Sequence, residues 1–538
     1  MSLKKARNIF SGGVADTRFK FTIDTTKTSS GGSASNQFKL ALRTGATYNC
    51  LIEWGDGTTT TQTTATSPTH TYPSTGIYQV KISGTFASVN ISNNNSNDRL
   101  KWKSIDNWGS ILWAANQASA FRGCSNMKIL ASDRPIFSFT STSLASFFSG
   151  CSSLNENINN WDVSNVTNMA SMFESCSSFN QSLNNWNVSN VTSMSYMFNS
   201  CSSFNQPLNN WNVSNVTSMS YMFKSCSSFN QPLNNWNVSN VTNMYSMFEY
   251  CSSFNQSLNN WNFAKCTSVS RMFAGCNTFN QPINFSLPLC QNISEILQSC
   301  TNYNSSVIIT NLNNCIAAVG AFSLLPIFNS PVTLSGTAGI NDWRGIFGLS
   351  PMFNQPVNFD TSGAVNLSEF FNGCTAFNSS VTFSSTSNCT QMNSMFLNCS
   401  AFNQNVNYFD VSKVTQFYQM FYGCTAFNQP LNNWTLNTTD PAGIDMSAMF
   451  YNATAFNQDI SSWDISNVNY ATGFMDGKTS ADYSSSNYDA LLNGWATKAS
   501  LTWAPELNMG EIKYTASGAA ARATLIGTYG WTISDGGI

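Results

Sequence analysis

The sequence predicts a mixed α/β repeat solenoid of about fourteen coils, preceded by a small all-β sandwich and closed by an α+β cap. Residues 186–210 and 211–235 are consecutive 25-residue copies that differ at one position, Asn199 against Lys224. Cysteines recur at the same 25-residue step, and the apolar pattern inside each copy changes from a spacing of three and four to alternation. A single short copy cannot bury its apolar face alone, so such repeats stack into a solenoid.

The dipeptide Phe-Asn marks the repeat register. Its phenylalanines are Phe179, Phe204, Phe229, Phe254, Phe279, Phe328, Phe353, Phe377, Phe402, Phe427 and Phe456. Tyr303 and Leu154 hold the same position, and Met127 marks a first, imperfect copy, so fourteen coils follow at steps of 24 to 29 residues and pass through residues 300–350. The following asparagine is predicted to form a buried ladder that satisfies turn amides coil after coil, because Asn carries no charge to repel its neighbour. Its members include Asn180, Asn205, Asn230 and Asn255.

Within one coil, two different periodicities follow each other. In "VTSMSYMFKSC", residues Val216, Met219, Met222 and Phe223 are spaced by three and four, which predicts a short helix with one apolar stripe. The next segment, "SSFNQPLNN", alternates and predicts a short extended segment. Stacked copies of that segment are expected to form a parallel ladder.

The repeated cysteine position is predicted to hold free, buried thiols. Cys176, Cys201, Cys226 and Cys251 follow the 25-residue step, and Ala453 takes the same position in a late copy, which favours packing over bonding. The sequence has no CxxC pair. Paired or metal-bound cysteines remain the alternative.

Four segments are expected along the chain. Residues 1–16 form an anchoring or disordered segment, 17–95 the β-sandwich, 96–478 the solenoid, and 479–538 the cap. In the cap, 486–498 and 515–527 are predicted helices and 531–534 a final strand. Solenoids need such caps to shield the last core layer.

Composition argues against several functional classes. Charged residues make up 9% of the chain and the net charge is −2, which predicts no nucleic-acid partner. No apolar run is long enough to cross a membrane, and the amino terminus lacks the apolar region of a signal peptide, so secretion by the general route is not expected. His70 is the sole histidine and is interpreted as structural; Asp56 is interpreted as a turn former. The prediction is therefore a non-enzyme without cofactor or metal.

The pattern "VTSMSYMFxxCSSFNQPLNNW", from about residue 100 to 475, resembles the BspA-like branch of the leucine-rich-repeat proteins. That resemblance implies a right-handed solenoid with a binding or adhesive role. Such repeats occur in bacterial surface proteins and in bacteriophage virion proteins.

Upstream, "IEWGDGTTTTQTTATSPTHTYPSTGIYQVKISG" resembles a PKD-type, immunoglobulin-like sandwich. The matching residues are Trp54, Gly55, Asp56, Gly57, His70, Tyr72, Gly76, Tyr78 and Val80. "WGDG" is a tight turn between two strands, and "YQVKISG" alternates like a sandwich strand.

Two sets of residues are candidates for contact with other molecules. Tyr196, Tyr221, Tyr245 and Tyr418 fall on or near the polar side of the predicted helix and are candidate surface contacts. Ile9 and Phe10, beside Lys4, Lys5 and Arg7, are a candidate assembly anchor. A tryptophan column forms either a sugar-binding platform or, as favoured, a core wall. Its members are Trp161, Trp186, Trp211, Trp236, Trp261, Trp434 and Trp463.

Together these observations predict a structural or adhesion protein of a bacteriophage virion, such as a tail fibre, receptor-binding or capsid decoration protein. It is expected at the virion surface in several copies, attached to other virion proteins through its amino-terminal region. Its solenoid is expected to meet a host glycan or protein, without inserting into a membrane. The alternative is a bacterial cell-surface adhesin.

Overall fold

A computed structural model describes residues 16–91, 98–140 and 142–538 of the chain. The chain divides into two compact units, residues 1–207 and 208–538. The candidate anchor residues Ile9 and Phe10 lie outside the described residues. Within the described ranges, no helix combines the length and the apolar content needed to cross a membrane.

The first unit opens with a β region. Its elements are β1 (Phe19–Asp24), β2 (Gln37–Lys39), β3 (Tyr48–Glu53), β4 (Thr59–Gln62), β5 (Thr69–Thr71), β6 (Ile77–Phe86), a 3-10 turn (Asp98–Lys101), β7 (Trp102–Asn107), β8 (Leu112–Trp113), β9 (Lys128–Ile129), β10 (Ile136–Phe137), β11 (Thr142–Ser143) and β12 (Val166–Asn168). A six-stranded sheet has the order β4-β3-β6-β1-β7-β9, and β2 pairs with β5.

Alternating buried and partly exposed side chains explain why β1 forms a strand inside this sheet. Phe19, Phe21 and Ile23 of β1 are buried on one face, and the residues between them are partly exposed. The predicted amino-terminal β region is therefore confirmed. The sheet also continues past residue 95, since β7 pairs with β1.

The predicted short helix of each coil is wrong. In the coil of Met169–Cys176, the segment is a run of turns in which Ser171 and Ser175 have φ of 55° and 59°. The amide of Ser171 donates to the carbonyl of Ser195 in the next coil at 2.8 Å, rather than to a residue four positions earlier. Two left-handed residues, four apart, reverse the chain and produce a three-and-four apolar spacing that resembles a helical stripe.

The second unit repeats this coil and closes with a different segment. Its strands are β13 (Ile283–Ser286), β14 (Val307–Thr310), β15 (Val332–Leu334), β16 (Val357–Phe359), β17 (Val381–Phe383), β18 (Ile444–Asp445), β19 (Val468–Tyr470), β20 (Glu506–Asn508) and β21 (Thr532–Ser534). The predicted parallel ladder appears at β13–β14–β15 and β16–β17, in coils that carry Val, Ile and Phe there. The consensus segment "QPLNN" forms no strand at 206–210 or 231–235.

The register through residues 300–350 is confirmed. Parallel bridges link Asn292, Ala317, Asp342 and Asn366 in successive coils. In the same coils Phe279 stacks on Tyr303 with ring centres 5.9 Å apart, and Phe328 stacks on Phe353 at 5.6 Å. The phenylalanine position therefore predicts the register even where the rest of the coil differs.

The predicted closing helices and strand are confirmed. Helix α1 spans Ser485–Ala496, helix α2 spans Ala516–Gly527, and β21 pairs in parallel with β20. The side chains of Ser484 and Thr515 cap the two helices. These are the α-helices of the described residues, so the overall class is a β-solenoid and the mixed α/β assignment is wrong.

The turn count also differs from the expectation of about fourteen. Counted over the two units, the β-solenoid has about 18 turns. Bridges already join Asn116 to Ser143 in the first unit, and Ala471 to Leu507 in the second. The first of these turns carries Met127 at the phenylalanine position and is among the fourteen expected, whereas the turn after Ala471 lacks the Phe-Asn dipeptide.

The hydrogen bonds that the turn-run amides make between coils have one direction. Each coil's turn amides donate to carbonyls of the following coil, as Met446 does to Tyr470 at 2.8 Å. At the first carbonyl row, the Arg43 guanidinium donates to the carbonyl of Ala118. At the last amide row, the side-chain oxygen of Asn508 accepts from the amide of Gly473 at 2.6 Å. One carbonyl of the first row and one amide of the last row are thus satisfied by the flanking segments.

Candidate functional site: the turn face

One surface of the coils carries most of their chemical variation. We call it the turn face: the outward residues of the turn run in each coil, such as Ala170, Ser171, Glu174 and Ser175 in one of them. The equivalents of Ser171 in other coils are Tyr196, Tyr221, Ser246, Arg271, Glu295, Gly320, Gly345, Glu369, Ser394, Gln419 and Ala448. Core and ladder positions must match from coil to coil, so this face is where coils are free to differ.

All four candidate tyrosines lie on the turn face. Tyr196, Tyr221 and Tyr245 are half-buried, and 41% of Tyr418 is exposed. Tyr221 and Tyr245 meet edge to face with ring centres 5.0 Å apart. The structure therefore brings Tyr221 and Tyr245 together and places Tyr418 in a different local environment.

An ion-pair ladder crosses the coils beside that tyrosine pair. Glu249 is 1% exposed and lies 2.7 Å from the Lys224 ammonium and 2.7 Å from the Arg271 guanidinium. Burial alone would raise the pKa of Glu249, but hydrogen bonds from these two cations outweigh it and lower the pKa. Arg271 also pairs with Glu295. These charges satisfy one another, so this part of the face is best explained as structural.

Tyr418 lies in a groove of polar side chains, which we call the amide groove. It is a depression of about 420 Å³ lined by Thr390, Gln391, Asn393, Thr415, Gln416, Tyr418 and Asp445. Its polar groups come from three successive coils, so side chains far apart in sequence share one surface.

Two glutamines distinguish this groove from the same position in other coils. There, Asn366 accepts from the amide of Ser368 at 2.9 Å, and Asn292 accepts from that of Ser294 at 2.8 Å. Gln391 and Gln416 are one methylene longer and do not close this local bond. Within the described part of the chain, neither glutamine side chain has a hydrogen-bond partner. Sequence reasoning missed this pair, although Gln at an Asn, Asp or Ser position in the aligned repeats was a usable signal.

The Trp54–His70 region of the β region is structural, as predicted. His70 Nε2 lies 2.7 Å from a carboxylate oxygen of Asp56, and its ring stacks on Trp54 with centres 4.7 Å apart. Asp56 also accepts from the amide of Thr58 at 3.0 Å, which confirms its turn role. Burial would raise the pKa of Asp56, but bonds from Thr58 and His70 lower it to about 2. Among the residues described, no three His, Cys, Asp or Glu side chains are grouped as a metal site would require.

The predicted thiols are buried and free. Cys176, Cys201, Cys226 and Cys251 all show no exposed surface and no disulfide. The Cys176 thiol donates to the carbonyl of Phe148 at 3.0 Å, and Cys251 to that of Phe223 at 2.8 Å. Burial raises the pKa of these two thiols.

The asparagines after the phenylalanine position join successive coils and are half-buried rather than buried. The side-chain oxygen of Asn180 accepts from the amide of Asn205 at 2.9 Å, and Asn230 accepts from Asn255 at 2.9 Å. The tryptophan column is a core wall: Trp236 is buried, and its indole donates to the carbonyl of Leu208 at 2.9 Å.

Comparison with known families finds one match. A model described as "Mycoplasma protein of unknown function, DUF285" matches residues 142–244, 207–311, 232–336, 284–382, 341–443 and 365–488. The matches overlap and together span the coils from residue 142 to 488. No curated protein matches the chain.

Proposed function

Because this chain belongs to the DUF285 family, whose description assigns no function, we propose from its own surface that it is a non-enzymatic adhesion protein that binds a surface glycan in the amide groove. The observation that carries this proposal is an exposed tyrosine beside two glutamine amides without internal partners.

The groove has the chemistry that a neutral sugar needs. A carboxamide both donates and accepts, as a sugar hydroxyl does, and an aromatic ring offers a flat apolar face to the sugar's C–H groups. Asp445 is the single charged residue of the lining, so an anionic sugar is disfavoured. The volume of about 420 Å³ lies in the range of roughly 300–1,000 Å³ typical of small-ligand pockets.

We also assign the coils to the BspA-like branch and the β region to the PKD type. The turn from Trp54 to Gly57 supports the second assignment. Gly55 and Gly57 have φ of 88° and 91°, and a Cβ at Gly55 would lie 2.5 Å from the Gln79 carbonyl, so that turn requires glycine.

The proposed location is the virion surface, with the bacterial cell surface as the alternative. All sixteen cysteines are unpaired and buried, which supports assembly in a reducing compartment. Thiol titration of the denatured, unreduced protein should count most of the sixteen. A low count would favour an oxidising route and the cell-surface alternative.

Glycan binding can be tested by calorimetry with purified host-surface polysaccharides. Tyr418→Ala should weaken binding about two- to tenfold, since an aromatic contact contributes about 0.5–1.5 kcal/mol. Gln416→Asn should weaken it as well, because the shorter amide can close the local bond that Asn366 makes. Tyr250→Ala, at an exposed tyrosine of the same face outside the groove, is the matched control.

Two results would contradict this proposal. One is binding that Tyr418→Ala and Gln416→Asn leave unchanged. The other is release of new sugar ends on incubation with a polysaccharide, abolished by one carboxylate substitution, because it would identify an enzyme.

A further inference from the structure

We propose that a second groove on the turn face binds the basic amino-terminal segment, residues 1–15, of a second copy of the chain. This interaction does not depend on glycan binding, because it uses different coils.

The groove exists because two successive coils carry glycine where their neighbours carry long side chains. Gly320 and Gly345 occupy the repeat position of Arg271 and Glu295. The resulting depression has a volume of about 230 Å³, and Gly348 widens it. A Cβ on Gly345 would meet no atom closer than 3.9 Å, so the space above it is open. We call it the glycine groove.

Exposed leucines line this groove. Leu324 is 39% exposed and Leu349 53% exposed, at equivalent positions of adjacent coils. Across residues 142–288, Tyr250 is the one large hydrophobic residue with such exposure, whereas several later coils expose one, among them Leu289, Ile316 and Met352. This groove differs because two exposed leucines of adjacent coils line the same depression.

The uncompensated charge at the rim is negative. Arg344 is paired with Asp342 at 3.1 Å, and Glu295 is paired with Arg271. Glu369 is exposed and has no ion-pair partner within the described part of the chain. An occupant that complements the groove must place a cation near Glu369 and apolar side chains over the leucines.

Residues 1–15, which lie outside the described residues, have this chemistry in their sequence. "MSLKKARNIFSGGVA" places Lys4, Lys5 and Arg7 directly before Ile9 and Phe10. The complementary surfaces are different parts of the same chain, so copies would join head to tail rather than by a two-fold contact. Each contact is small and should be weak, and several copies on one particle would add avidity.

Sedimentation velocity of the full chain over a concentration series tests this proposal. The chain should self-associate as concentration rises, and an excess of a synthetic peptide of residues 1–15 should return it to monomer. A peptide with Glu in place of Lys4, Lys5 and Arg7 should have no effect.

Groove variants test where the contact lies. Gly345→Tyr should abolish association by filling the groove, and it should fold because Tyr221 occupies the same repeat position with nearly the same φ, 59° against 60°. Glu369→Gln should weaken association about two- to fivefold, as for an exposed ion pair. Ile316→Ser, at a residue 54% exposed that does not line the groove, is the matched control.

A full chain that stays monomeric at every concentration overturns the proposal. So does association that the peptide fails to reverse, or that Gly345→Tyr leaves unchanged while its circular dichroism and melting match those of the parent chain.

Discussion

The repeated cysteine position shows how a neighbouring coil determines which side chain fits at one position. A thiol there fits under the carbonyl of the preceding coil, as Cys424 does under Phe396 at 2.9 Å. Ala453 fills the position without that bond. In the last such coil Lys478 takes it, and its ammonium donates to the carbonyls of Ala453 and Phe456 at 2.5 and 2.6 Å. Burial lowers the pKa of Lys478 to about 7, so near neutrality this lysine readily loses its charge.

Lys478 should make stability depend on pH. Between about pH 7 and 10.5 the unfolded chain binds a proton at this lysine that the folded chain does not, so stability should rise with pH. One such group contributes at most about 1.4 kcal/mol per pH unit. Denaturant unfolding at pH 6.5–8.5 should show this rise in the parent chain and not in Lys478→Met. Equal slopes in both proteins would contradict the pKa shift.

At the scale of the element, the coil is held by hydrogen bonds to its neighbours as well as by those within itself. The side-chain oxygen of Asn403 accepts from the amide of Asn428 at 3.0 Å and from the side-chain amide of Gln429 at 2.9 Å. The same arrangement recurs along the ladder, where a single asparagine joins two coils. The turn amides likewise bond to the next coil, which explains why the predicted helix does not form.

Removing one ladder acceptor should therefore loosen two coils at once. Asn403→Ala removes the acceptor of the Asn428 amide and should lower the free energy of unfolding by about 0.5–1.5 kcal/mol, since this hydrogen bond is exposed to solvent. Asn403→Asp keeps an acceptor oxygen and should cost less. Urea unfolding of the three proteins measures both values, and an alanine variant as stable as the aspartate variant would show that the ladder contributes little.

At the scale of the molecule, the buried thiols are a shared property of the coils and the β region. Burial raises the pKa of Cys50 to about 11 and of Cys300 to about 12. An unfolded thiol has a pKa of about 8.5. The folded chain thus keeps thiol protons that the unfolded chain loses in alkali.

That the coils of both units form one continuous solenoid stays a prediction.

Stability should accordingly fall in alkali. The contribution of the raised thiol pKa values is fully present below about pH 8.5 and is lost as pH rises above it. The fourteen thiols with raised pKa values outweigh the opposite effect of one lysine. Unfolding free energies measured at pH 7, 9 and 10 should decrease above pH 9, with a shallower slope in Cys399→Ala. Stability that stays constant to pH 10 would refute the burial of the thiols.

The amino-terminal segment gives the prediction that concerns assembly. Deleting residues 1–15 should leave the coils folded, remove the protein from purified particles and abolish its self-association. Circular dichroism, particle composition and sedimentation measure the three outcomes. If the shortened chain still incorporates at full level, the anchor role of Ile9 and Phe10 is wrong, and the β region or the closing segment makes the attachment.

The sequence by itself determined the length of the coil, its register and the residues of its core. The register of Phe279, Tyr303 and Phe328 followed from spacing alone, because stacked coils must repeat their buried side chains at one step. Only the tertiary structure decided how the chain turns within each coil and which grooves form on its surface. An amide of Ser171 can bond within a helix or to the next coil, and this choice depends on a neighbour that local periodicity does not contain. The amide groove and the glycine groove are likewise built from residues about 25 positions apart, which become neighbours only when the coils stack.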